Sequence, residues 1–143
     1  MKRFVQTLSV FVLVVSSIVG GLVANAHEGK EHDAPKVVSA PKGGIIQPLH
    51  EGYVEVVAKG KDLKIYVYDK DVKPYAMTDV KVEAKAILPR TKGPIDLIVS
   101  AKSDSFESSF DAKGAHRYTL VLSVKQTSEP KPIDLKYTIE PRK

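Results

Sequence analysis

The chain has 143 residues, no cysteine, no tryptophan and a formal charge of +5. Its first 26 residues hold Lys2 and Arg3 and no acid, so the remaining 117, with 20 basic and 17 acidic side chains, carry about +3. That length suits one domain with a modest core and is too short for a two-domain enzyme. The near balance of charge argues against a nucleic-acid binder, which needs its basic residues on one face.

Met1-Lys2-Arg3 is a short positive start. An apolar run from Phe4 to Val23 follows, closed by the small residues Ala24-Asn25-Ala26. These three parts predict a signal peptide over residues 1–26 with cleavage after Ala26, and hence a periplasmic protein, or one released outside the cell. The rival reading is an uncleaved anchor, because the apolar run approaches the ~20 residues that span a bilayer; Ser16, Ser17, Gly20 and Gly21 weaken its end. After cleavage the protein is expected not to be integral to the membrane. Without cysteine there is no lipid attachment, no disulfide to supplement a small core, and no thiolate for catalysis or soft-metal binding.

Residues 27–42 are polar, with two prolines and no apolar period, which predicts a flexible leader. From residue 43 to the end the pattern changes to short stretches of period-two alternation bounded by Gly, Pro, Asp and Lys, the pattern of an all-β domain. In chain order the expected strands begin with Gly44 to Gln47 and Tyr53 to Lys59. The second puts Val54, Val56 and Ala58 on one face and Tyr53 and Glu55 on the other. Gly60-Lys61-Asp62 is a tight turn. Leu63 to Tyr68 returns with Leu63, Ile65 and Val67 inward and Lys64, Tyr66 and Tyr68 on the opposite face. Val80 to Leu88 follows, then Ile95 to Ala101 and Ser105 to Asp111 as a hairpin pair, Tyr118 to Val124, and a last strand through Ile133, Leu135, Tyr137 and Ile139. Seven or eight strands at this spacing predict an immunoglobulin-like β-sandwich, with a small barrel as the alternative.

Three segments carry a family resemblance. They are Pro41-Lys42-Gly43-Gly44-Ile45-Ile46, Gly52-Tyr53-Val54-Glu55-Val56-Val57 centred on a glutamate, and Lys64-Ile65-Tyr66-Val67-Tyr68-Asp69-Lys70-Asp71-Val72-Lys73-Pro74. From Pro41 to about Leu88 the chain resembles a group of small exported β-sandwich proteins associated with bacterial heavy-metal efflux and resistance systems. The resemblance implies the sandwich fold, the periplasm, and a link to metal handling. In that group the opening often reads His-Gly-Gly and a histidine often precedes the glutamate; here those positions hold Lys42 and Val54.

The candidate metal ligands are the four histidines. His27 and His32 fall within His27-Glu28-Gly29-Lys30-Glu31-His32-Asp33. Cleavage after Ala26 makes His27 the terminal residue, so its amine and imidazole can chelate one ion, with His32 and a carboxylate completing a nitrogen and oxygen set suited to Cu(II), Zn(II) or Ni(II). The plain alternative is a solvated leader. His50, in the turn Pro48-Leu49-His50-Glu51-Gly52, and His116, before a strand, contribute only if the fold brings them together; otherwise they are ordinary surface histidines. Met77 is the one methionine after the signal peptide, too few for a Cu(I) carrier. Asp69 and Asp71 read as a turn bonding its own backbone, against a calcium loop that would need further oxygen ligands. Ser103, Ser105, Ser108 and Ser109 lack a Gly-x-Ser-x-Gly turn or a paired base, so no serine nucleophile is expected. Tyr66 and Tyr68 form either a patch for a protein or glycan partner or packing into the second sheet or under a loop.

These readings lead to a non-enzymatic periplasmic sandwich that binds or buffers a transition metal or assists a metal efflux system. The alternative is an envelope interaction module without metal, docking a partner protein by a sheet edge or the tyrosine face. The partner in either case is an envelope or efflux-system protein and not a nucleic acid.

Overall fold

Alternating apolar and polar residues between Gly52 and Ile139 build the strands of two antiparallel sheets. The computed structural model describes residues 38–141. The expected signal peptide, most of the leader, His27 and His32 lie outside the described residues.

The strands are β1 (Ile45–Leu49), β2 (Gly52–Lys59), β3 (Asp62–Tyr68), β4 (Val80–Ile87), β5 (Ile95–Leu97), β6 (Ser100–Ala101), β7 (Phe106–Ser109), β8 (Tyr118–Gln126) and β9 (Ile133–Ile139). One sheet has the order β1-β2-β3-β7-β6 and the other β5-β4-β8-β9. Among the described residues the only helical element is one 3-10 turn at Met77–Asp79. No helix of these residues is long and apolar enough to cross a membrane.

The core lies between the sheets. Val54, Val56, Leu63, Ile65 and Val67 face Ala84, Ala86, Leu120, Leu122, Val124 and Ile139, all at most 3% exposed. Each of the valines, leucines and isoleucines among them contributes about 1.5–3 kcal/mol through removal from water. On β4, strict alternation of buried and exposed positions from Val80 to Ile87 matches a strand with one wet face. Two polar bridges tie the sheets where β1 and β9 lie side by side. Gln47 Nε2 donates to the Lys136 carbonyl at 2.7 Å, and the buried Tyr137 hydroxyl donates to the Val54 carbonyl at 2.8 Å.

The expected strand Ile95 to Ala101 is two strands in the structure, which raises the number among the described residues to nine. Ile95–Leu97 pairs with β4, whereas Ser100–Ala101 pairs with β7 in the opposite sheet. The chain therefore steps from the edge of one sheet to the edge of the other at Ile98 and Val99. Local alternation specifies which face a residue takes but not which sheet it joins. The expected hairpin survives only as β6 with β7.

Candidate functional site

The strand registers divide the loops between two ends of the sandwich. Leu49 pairs with Gly52, Tyr53 with Tyr68, and Val80 with Gln126, so the β1–β2 turn, the β3–β4 loop and the β8–β9 loop share one end. At the other end lie the residues before β1, the β2–β3 turn and the loop before β8, because Lys59 pairs with Asp62 and Tyr118 with Ile139.

His50 belongs to the first end. Its Nδ1 lies 2.8 Å from Glu129 Oε1 across the β1–β2 and β8–β9 loops, with the histidine 68% exposed. His116 is exposed at the second end, two residues before β8. The nine residues of β8 separate the two, a distance of roughly 25 Å at ~3.3 Å per residue. The fold therefore does not bring His50 and His116 together. Among the described residues, no three His, Asp or Glu side chains gather in a group that could hold a metal ion.

The Asp69 loop is the self-bonded turn that its composition implies. Asp69 Oδ1 accepts from the backbone N–H of Asp71 at 2.8 Å and of Lys73 at 2.9 Å, and the Asp69 N–H donates to the Lys73 carbonyl at 2.9 Å. Its carboxylate is engaged with the loop itself.

The most constrained polar group is Glu55. By alternation it lies on the outer face of the first sheet with Tyr53, yet it is 0% exposed. Residues 40–44 form a strap that crosses this face and covers it. Glu55 Oε1 accepts from the Gly44 N–H at 2.7 Å and the Lys42 N–H at 3.0 Å, and Oε2 accepts from the Tyr68 hydroxyl at 2.9 Å. Gly43, at φ +74, provides the left-handed step that aims both flanking N–H groups at one carboxylate. The strap closes on itself through Gly43 N–H to the Ala40 carbonyl at 3.1 Å. Lys42 Nζ then lies 5.4 Å above the Tyr66 ring, which stacks at 6.4 Å on Tyr68. Burial, reinforced by the bond to Glu55, pushes the Tyr68 phenol well above its ordinary range.

Tyr68 is thus packed beneath the strap, while Tyr66 remains half-buried beside it. What alternation missed is that an outer-face glutamate is capped by its own chain. The available signal was Gly43-Gly44 ahead of β1, a pair able to turn backbone donors back onto the sheet. Also missed was Gln126, 1% exposed, whose position continues the inward series Tyr118, Leu120, Leu122 and Val124. Neither its Nε2 nor its Oε1 has a hydrogen-bond partner among the described residues.

The Glu55 centre can bind and hold the strap, and with every described carboxylate contact a donor from the chain itself, it is a structural clasp that roots residues 40–44 on the sandwich. No protein-family model matches the chain, and no curated protein matches it.

Proposed function

We propose that this is a periplasmic, non-enzymatic, immunoglobulin-like β-sandwich protein that binds or buffers a transition metal in support of an efflux system, with the leader as ligand source. The observation that carries this reading is the pairing of His27 and His32 with Glu28, Glu31 and Asp33 in seven residues. That donor set suits Cu(II), Zn(II) or Ni(II). The sandwich serves as a rigid carrier, and the Glu55 clasp fixes the point from which the leader extends. Strand order supports the immunoglobulin-like assignment: β2-β3-β7-β6 against β5-β4-β8-β9 follows the A-B-E-D and C′-C-F-G arrangement, with β1 added ahead of it. The resemblance of residues 41–88 to the exported metal-resistance group supports the compartment.

Mass spectrometry of the native protein should give an amino terminus at His27, and an intact Met1 start in the membrane fraction would overturn export with cleavage. Calorimetry on the processed protein should then show one Cu(II) or Zn(II) site. Both the amine and the imidazole must lose protons to bind, so affinity should rise from about pH 6 to about pH 8. An added leading residue or His32→Ala should weaken the site with fold stability unchanged. Absence of binding at micromolar metal would refute the reading.

A further inference from the structure

Past the Gln47 and Tyr137 bridges, the side of the sandwich formed by β1 and β9 opens. A groove of about 700 Å³ runs there between the end of β2, with Ile45, Val56 and Ala58, and the end of β9, with Thr138, Ile139 and Glu140. It exists because the strands end out of step. β1 stops with Ile45 opposite Val56 while β2 runs on to Lys59, and Gly44 turns the chain away toward Glu55. Among the described residues, no backbone hydrogen bond reaches Ala58 from the β1 side, whereas the backbone of Lys59 faces its partner Asp62 of β3. Ile45 shares the inner face of its partner Val56, yet 44% of its surface is exposed because no described residue completes the sheet beside it.

We propose that this groove is a strand-addition site that accepts an extended segment of a partner protein carrying an acidic side chain at an alternate position. An unpaired strand edge is completed by another extended chain, with main-chain bonds providing affinity and alternate side chains providing specificity. The register sets those side chains. Ala58 points inward, so the residue beside it meets Ile45 and Ala58 and is apolar; Val57 and Lys59 point outward, so the neighbouring residue meets Lys59 and is acidic. Lys59 is exposed and makes no ion pair among the described residues. Lys42, over Tyr66, adds a second positive charge near the same rim, whereas Glu140 on the β9 wall repels an acid placed there. The same edge of a second copy would bring another lysine to Lys59, which favours a different chain. This site is independent of the leader's metal chemistry.

Random 12-residue peptides displayed on phage and selected on the protein as it accumulates in the cell test the proposal. The enriched peptides should alternate apolar and acidic residues, and a synthetic copy should bind at least about tenfold more weakly to both Ile45→Lys and Lys59→Glu. Lys59 is a surface residue, so Lys59→Glu decides the matter even if Ile45→Lys misfolds; circular dichroism checks both. No enrichment, enrichment without alternation, or equal binding to Lys59→Glu would overturn the site. Two other results would replace the occupant and so overturn the proposal. One is a dimer that Ile45→Lys converts to monomer, the other peptide binding only after residues 27–37 are removed.

Discussion

Replacing Tyr68 with Phe removes the one side-chain donor from the buried Glu55 carboxylate and leaves the shape of the core unchanged. The lost bond is 2.9 Å long between residues at most 3% exposed. A bond of this kind to a charged group contributes about 1.5–3 kcal/mol, and that is the expected cost, since the Lys42 and Gly44 N–H groups still satisfy the carboxylate. Glu55→Gln should cost less, about 1 kcal/mol. Its amide oxygen serves the two backbone donors, and its nitrogen turns to a Tyr68 hydroxyl that can rotate to accept. Glu55→Ala orphans the phenol, releases the strap and leaves a void, for roughly 3–5 kcal/mol. Urea unfolding followed by circular dichroism and tyrosine emission, uncomplicated by tryptophan, reads all three if the m-values agree. Hydrogen exchange at the Gly44 amide should accelerate only where the strap is released. A Tyr68→Phe variant within about 0.5 kcal/mol of the parent, or Glu55→Ala no worse than Glu55→Gln, would refute the clasp.

Alkali should destabilise the fold. Burial raises the phenols of Tyr68 and Tyr137 well above the ordinary range and that of Tyr118 to about 12, so above pH ~10 the unfolded chain loses protons that the folded chain keeps. The stability from Tyr118 is whole below pH ~10 and is lost up to about 12, at about 1.4 kcal/mol per pH unit; a flat stability curve over that window would contradict its burial. Gln126→Met should stabilise the protein by about 1–3 kcal/mol, because it removes two polar atoms that have no partner among the described residues from a 1% exposed position. A lower urea midpoint for that variant would show that the amide is satisfied. Gly52→Ala should prevent stable folding at 37 °C, since a Cβ there would collide with the Tyr68 carbonyl oxygen, and a soluble variant with the parent's melting temperature would refute the close approach of β2 and β3.

The face taken by each strand residue was legible in the sequence, because alternation is a local property of extended chain. Val54 and Val56, the set Leu63, Ile65 and Val67, the even positions of β4 and the series Tyr118, Leu120, Leu122 and Val124 all point inward as their patterning implies. The Asp69 turn was legible for the same reason, since an aspartate bonds N–H groups two and four residues ahead without help from the rest of the fold. Tertiary structure alone decided the partners. It divided Ile95 to Ala101 between two sheets, because period-two alternation does not encode which neighbour supplies the backbone bonds. It set His50 and His116 at opposite ends of β8, because loop residues are brought together or kept apart by registers tens of residues distant. It also buried Glu55, which patterning assigns to the solvent face, since only the crossing of residues 40–44 over that face supplies the donors that replace water.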